Sequence, residues 1–459
     1  MAELMAEVVI VGAGPAGIRA AGILAAQGLR PILVDEGRQA GGQGYRRPSP
    51  GLALDMDTLM GTEAGKYKAL HADFAALLNR IDYRPRTLVW GIEDRRLHCV
   101  RDGRQTTIAF DALIVATGAM DRIAPLPGWI LPGVFTLGGA QAVLKDQGCL
   151  VGRRVAFLGA SPLLSLAALQ YRKLGAEVVA VCDTSSFRDK IAALPQLAAV
   201  PRTLARGIAY LAALKRARVP LFDGVTPLAI EGEAGVTALR FRDGRGHERR
   251  IACDAVALGY GLKPETQLAE LAGARFAFDA RFRLWLPVTD EDGRAGEGLY
   301  LAGDGAAIGG ADAAEASGAL AALAVLHDLG LRSEHDERPA LRRRLARLRR
   351  FQQGLARAFR WPVAALARLS DEVAVCRCEH VTAGDIRRAM DADLGPVDVN
   401  RVKAITRCGM GRCQGRVCGP ALQEIAAAHA GLPVEAVGRL RGQAPLKPVP
   451  LGILEEEEA

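Results

Sequence analysis

A strand that runs straight into a glycine loop and then a helix constrains this chain more than any other feature. Residues 8–11 are the apolar run Val8-Val-Ile-Val11, and Gly12-Ala-Gly14-Pro15-Ala16-Gly17 follows at once. Residues 18–27 have helical composition, Gly28 ends them, and Pro31-Ile-Leu-Val34 forms a second strand closing on Asp35-Glu36. A parallel βαβ unit satisfies that order. Gly12 permits the tight turn, Gly14 lets the backbone approach a pyrophosphate, and Gly17 lets helix and strand pack closely. The helix N-terminus then faces the phosphate charge, and Pro15 and Ala16 of the loop join the glycines as candidate cofactor-binding residues. Asp35 stands 18 residues past Gly17, where a carboxylate accepts hydrogen bonds from an adenosine ribose. Glu36, one position off, is expected on the other face of the strand.

A second copy begins near residue 153. Residues 154–158 predict a strand, Gly159-Ala160-Ser161-Pro162 a turn, residues 163–174 a helix closed by Gly175, and residues 177–181 the next strand. This copy is damaged. Ser161 and Leu164 occupy the second and third glycine positions, so dinucleotide binding there is expected to be weakened or altered. Asp183, near the end of the following strand, remains able to meet a ribose. A vestigial site, or one holding another nucleotide, fits these residues better than a working NAD(P)H site.

Three further motifs bear on the first loop. Gly41-Gly42-Gln43 follows the second strand, Ala116-Thr117-Gly118-Ala119 ends a strand at 112–115, and Ala302-Gly303-Asp304 leads into an Ala-rich helix over 311–326. Together with the glycine loop, this set resembles the two-dinucleotide-binding flavoprotein family over about residues 7–330. The resemblance implies α/β architecture with two Rossmann-like domains, FAD in the first, Asp304 on its ribityl chain, and the following helix aimed at the pyrimidine side of the flavin. Disulfide reductases of that family carry a Cys-x-x-Cys beside the flavin. Cys99, Cys149, Cys182 and Cys253 make no such pair and are expected as small core residues, which disfavours a thioredoxin-reductase-like activity.

Five of the nine cysteines fall between 376 and 418: Cys376-Arg-Cys378-Glu-His380, then Cys408-Gly-Met-Gly-Arg-Cys413-Gln-Gly-Arg-Val-Cys418. Four thiolates on two loops enclose one iron–sulfur cluster, and Arg377, Arg407, Arg412 and Arg416 stand ready to offset its charge. Zinc competes, though its Cys-x₂₋₄-Cys knuckles match Cys-x-Cys poorly. The tract resembles the bacterioferritin-associated-ferredoxin-like [2Fe–2S] domain in the form fused to amine-oxidising flavoproteins. That likeness implies Cys376, Cys378, Cys413 and Cys418 as ligands, with Cys408 spare. His380 is expected as a surface or outer residue.

The formal net charge of +8 suits anionic partners without choosing among them, and 5% aromatics argue against nucleic-acid stacking as a role. Residues 338–359 predict an amphipathic helix, with Leu341, Leu345, Leu348, Phe351, Leu355 and Phe359 on one face and arginines on the other. A packed helix with a solvated basic side is the plain account; a docking face for a subunit or anionic lipid is the sharper one. The first residues lack the basic region and cleavage pattern of a leader, and no apolar run reaches the length of a membrane span. A cytoplasmic protein is expected, with peripheral attachment to the inner membrane face left open.

The expected layout is an FAD-binding domain over 1–120 and 285–370, the latter including the basic helix, and an NAD(P)-like domain over 121–284. A small helical [2Fe–2S] domain over 371–430 follows, then a tail over 431–459 with a frayed Glu455–Glu458 run. The whole chain resembles the larger subunits of heteromeric amino-acid dehydrogenases: opine oxidases, D-hydroxyproline and L-proline dehydrogenases, and hydrogen cyanide synthase. That resemblance implies a separate FAD-bearing β subunit of the glycine-oxidase type that oxidises the C–N bond. It also implies a small γ subunit in some cases, FMN at a subunit interface in some relatives, and electron delivery to a quinone or respiratory acceptor. Two alternatives stand beside it: a stand-alone NAD(P)H-dependent reductase, and a non-catalytic nucleotide-binding platform.

Overall fold

The computed structural model describes residues 7–331, 336–392, 395, 397–450 and 454–455. Val8–Val11 and Ile32–Val34 pair in parallel, with Val9 beside Ile32, and the helix Pro15–Ala26 crosses between them. That helix starts three residues before the predicted residue 18, because Pro15 at its first position lacks an amide to satisfy and is preset for helical φ. Six strands form this sheet, in the order Arg294–Gly296, Leu299–Leu301, Ala112–Val115, Val8–Val11, Ile32–Val34, Asp82–Arg84. Every residue of Val8–Val11 and Ala112–Val115 is buried, which explains their unbroken apolar runs. The helices Pro15–Ala26 and Ala311–Asp328 pack together here. They meet at backbone distance: a Cβ at Gly318 would overlap the Ala16 carbonyl oxygen.

The second βαβ copy builds an all-parallel sheet in the order Leu221–Asp223, Glu177–Asp183, Arg154–Gly159, Ala255–Gly259, Val134–Thr136. The two halves are joined by the antiparallel pair Ala119–Asp121 and Leu262–Pro264. The basic helix spans Arg338–Ala358 and buries Leu345, Leu348 and Phe351 against Ala311–Asp328 and Leu194–Leu197, while most of its arginines face solvent. Among the described residues, no helix is long and apolar enough to cross a membrane.

The C-terminal unit is a short hairpin, Ala374–Cys376 with Val381–Thr382, and three helices, Ala383–Asp391, Val399–Thr406 and Gly419–Ala430. Thr382 and Asp385 form a reciprocal capping box at the first helix. The unit has no separate core. Val375, Ile386 and Ile425 share one hydrophobic cluster with Trp129, Leu239 and Phe241 of the second half. Trp129 Nε1 donates to the Ala374 carbonyl at 2.6 Å, and Arg283 grips the buried Glu424 carboxylate through two bonds of 2.8 and 2.7 Å.

The segment after 430 packs on the fold: Val437 and Leu446 are buried, and Arg439 and Arg441 bond Glu270 at 2.6 and 2.7 Å. Two expectations need correction. The acidic run begins in a strand, with Glu455 beside Gln105, because Arg104–Ala109 leaves a sheet edge open to pairing; residues 456–459 lie outside the described residues. Cys149 is exposed, where a core position was expected, because it sits just past the left-handed Gly148 that ends a helix. Cys99, Cys182 and Cys253 are buried as expected.

Candidate functional site

One cavity of about 2150 Å³ gathers the motifs read from sequence. Gly12, Gly14, Pro15, Ala16, Asp35, Glu36, Gly42, Gln43, Thr117, Gly118, Gly303 and Asp304 all line it. Gly17 lies behind them, where a Cβ would overlap the Gly12 carbonyl oxygen, so it sets the closeness of helix and strand rather than the cavity wall. The Asp35 carboxylate accepts from the Ala13 amide at 2.5 Å and the Gly37 amide at 2.6 Å. Burial pushes this carboxyl up against the pull of those two amides. Glu36 is exposed at the cavity wall and pairs with Lys447, which lines the same cavity. Asp304 accepts from the amides of Gly309 and Gly310 at 2.7 and 2.9 Å and is likewise raised by burial.

These residues fit a dinucleotide. The helices Pro15–Ala26 and Ala311–Asp328 have Gly14 and Gly310 as N-caps, and neither cap supplies a side-chain bond, so first-turn amides are left for a ligand. Beside Gly14 a Cβ would meet only the Gly42 Cα, at 3.7 Å, which leaves a cradle of backbone between the two loops.

The second loop offers the opposite. Ser161 Oγ accepts from the Leu163 amide at 3.2 Å, so the side chain at the second glycine position consumes a donor that a phosphate would use. Leu164, at the third, is fully buried in the helix–sheet interface. Asp183 does not wait for a ribose: Lys190 Nζ lies 2.8 Å from its Oδ2, and the Ser185 amide donates to its Oδ1 at 2.8 Å. These contacts make the second loop a poorer seat for a nicotinamide dinucleotide than the first loop is for its own ligand.

All five C-terminal cysteines come together. The sulfurs of Cys376, Cys408 and Cys418 lie within 4.8 Å of one another and are buried. Cys378 interacts with Cys413, and Cys413 in turn with Cys418. Hydrogen bonds from Cys408 and Cys418 hold the Cys376 thiol far below its usual range, and one from Cys418 lowers Cys413 to about 5. Cys378, Cys408 and Cys418 are pushed up instead, by burial and by the neighbouring thiols. An all-sulfur donor set with three buried and two half-buried thiols on adjoining loops fits an iron–sulfur cluster. Cys408, expected as the spare, sits inside the group rather than apart from it, because its helix Val399–Thr406 ends in a left-handed Arg407 that turns the chain inward. His380 is exposed.

Arg377, Arg412, Cys413 and Arg416 line the same cavity as the dinucleotide loops. Two groups in it were not legible in sequence. Lys145 is buried, donates to the Gly44 carbonyl at 2.9 Å, and is lowered to about 8 by desolvation. Glu265 bonds Arg416 across 151 positions of sequence, a separation no local pattern announces.

Fold, cavity and thiol group define a flavin and iron–sulfur oxidoreductase. The chain belongs to the pyridine nucleotide-disulphide oxidoreductase family, which it matches over residues 6–319, and residues 374–428 match the BFD-like [2Fe-2S] binding domain. FAD and a [2Fe–2S] cluster are its cofactors. It is 39% identical to the opine oxidase A subunit of Agrobacterium tumefaciens (strain Ach5), covering 98% of this chain and 91% of that one. It is 31% identical to hydrogen cyanide synthase subunit HcnB of Pseudomonas protegens, covering 96% of each. The crystal structure of L-proline dehydrogenase from P. horikoshii shares the fold, with TM-score 0.69, 22% identity, and 98% of this chain and 79% of that one covered.

Proposed function

We propose that this chain is the electron-transfer subunit of a heteromeric amino-acid or imino-acid dehydrogenase of the opine or D-hydroxyproline type. A partner of the glycine-oxidase type, carrying its own FAD, oxidises the substrate C–N bond. The electrons pass through this chain to a quinone or respiratory acceptor. When bound, FAD supplies the step between two-electron and one-electron chemistry and the cluster supplies one-electron transfer. The chain's own residues do the holding: Asp35 and the Gly14–Gly42 cradle at the adenosine and pyrophosphate end, Asp304 at the ribityl end, and Cys376, Cys378, Cys413 and Cys418 at the iron.

One observation carries the reading: the cavity connects the first glycine loop with the cluster loop, and where it passes the second glycine loop Ser161 Oγ takes the Leu163 amide and Lys190 takes the Asp183 carboxylate. The connection supports a path outward for electrons, and the engaged donor and carboxylate of the second loop weigh against a nicotinamide donor. Reducing equivalents then come from a partner. Phe187, Ile191, Leu194, Ile208 and Leu211 support this, since all five are exposed yet line the same cavity. Residues 187–218 around them hold seven Lys or Arg and one Asp. That surround suits a partner with an acidic rim and opposes a second copy of this chain.

The test is anaerobic. The isolated chain should show flavin and iron–sulfur absorbance that NADH and NADPH leave unbleached, and reduction should require both partner and amino acid. Rapid bleaching by NADPH alone would overturn the proposal in favour of a stand-alone reductase.

A further inference from the structure

Four arginines stand among the cluster cysteines in sequence, and one is placed unlike the others. Arg377 and Arg412 are exposed, and Arg407 meets Glu379 at 2.9 Å with most of its side chain in solvent. Arg416, between Cys413 and Cys418, is buried. Its Nε donates to Glu265 Oε2 at 2.6 Å, its Nη1 to the Leu446 carbonyl at 2.6 Å, and its amide to the Cys413 carbonyl at 3.0 Å.

Glu265 belongs to the other end of the molecule's redox path. Its amide donates to the Gly118 carbonyl at 2.9 Å, and its carbonyl accepts from the Thr117 hydroxyl at 2.7 Å. Beside this link, Gln267 Nε2 donates to the Gln414 carbonyl at 2.6 Å, fastening the same two segments again. A hydrogen-bonded chain therefore runs from Thr117 and Gly118, on the dinucleotide cavity wall, through Glu265 and Arg416 to the loop that carries two thiols.

We propose that Glu265 and Arg416 are a positioning pair that sets the reduction potential of the cluster and joins it to the dinucleotide loop. The proposal rests on the electron-transfer reading above and deepens it. An all-thiolate [2Fe–2S] centre is a dianion that gains a further negative charge on reduction. A cation held nearby in a low-dielectric interior favours the reduced form, and a carboxylate disfavours it. The two members carry opposite charges in one buried contact, and Lys263 stands beside both, so removing Glu265 adds one net positive charge at the contact and removing Arg416 takes one away. The two deletions must therefore move the potential in opposite directions.

Potentiometric titration of the purified full-length holoprotein, followed by electron paramagnetic resonance, reads this directly. Iron and flavin are counted in every sample. Glu265→Gln should raise the midpoint of the cluster, Arg416→Gln should lower it, and Arg416→Lys should restore it toward wild type. Shifts of the same sign, or no shift in iron-replete variants, would overturn the proposal. If Arg416→Gln does not retain iron, Glu265→Gln against Glu265→Asp decides: a rise in the Gln variant alone supports the pair, and equal behaviour refutes it. The readout needs no partner or substrate, so the pair can fail while the relay reading stands, and the reverse.

Discussion

At the scale of single residues, the thiol group makes the sharpest demand. Cys376→Ser should abolish the iron–sulfur absorbance and leave FAD bound, because the flavin half has its own core around Ile10, Leu24 and Leu33. Cys408→Ala tests the crowded fifth position. Iron should stay at the wild-type content, and its loss would make Cys408 a ligand in place of one of the proposed four. Lys145 gives a pH signature. Its folded value of about 8 lies below the ordinary lysine range, so between pH 8 and 10.5 the unfolded chain holds a proton that the folded chain has released. Stability of the cofactor-free protein should then rise with pH across that window, by up to about 1.4 kcal/mol per pH unit. Thermal melts of wild type against Lys145→Met isolate the effect, and parallel pH profiles for the two would remove it.

At the scale of elements, the helix Pro201–Arg216 is the conspicuous case. It buries one residue, Leu214, and leaves Ile208 and Leu211 exposed at the cavity mouth. Ile208→Glu with Leu211→Glu should leave flavin and iron contents unchanged and block co-elution with the amine-oxidising partner in size-exclusion chromatography; undisturbed assembly would place the partner elsewhere. This helix also marks where sequence reading runs out. The order of elements was legible wherever a strand, a glycine turn and a helix follow one another, as at 8–34 and 154–183, because chain-neighbour chemistry decides those turns, although the first helix begins three residues early. The five cysteines were legible as a group for the same reason. Their arrangement was not, since the place of Cys408 depends on a left-handed Arg407 and on packing against distant strands. Nor was the Lys190–Asp183 pair, in which a carboxylate placed correctly for a ribose is taken by a lysine from the next helix.

At the scale of the whole molecule, charged contacts fasten the C-terminal segment where apolar area is short. Glu270, nearly buried, receives Arg439, Arg441 and the Gly442 amide. Glu270→Ala leaves Arg439 without its carboxylate and should cost about 3 kcal/mol in denaturant melts; a loss under about 1 kcal/mol would show that the packing of Val437 and Leu446 suffices. Charge at this scale also separates the two ends of the proposed complex. The basic surround of the cavity mouth lies in the second half of the fold, so partner docking should weaken with added salt while the cluster seat, held by buried contacts, does not.

The ferredoxin-like unit cannot be treated as a detachable cassette. Trp129, Leu239 and Phe241 lean on Val375, Ile386 and Ile425 with no boundary between them. A gene cut before residue 374 would bare an oily sheet face, and an aggregate, rather than a smaller flavoprotein, is what such a deletion should yield. For anyone transplanting this wiring into another enzyme, the smallest portable part is the second half and the iron-bearing end together.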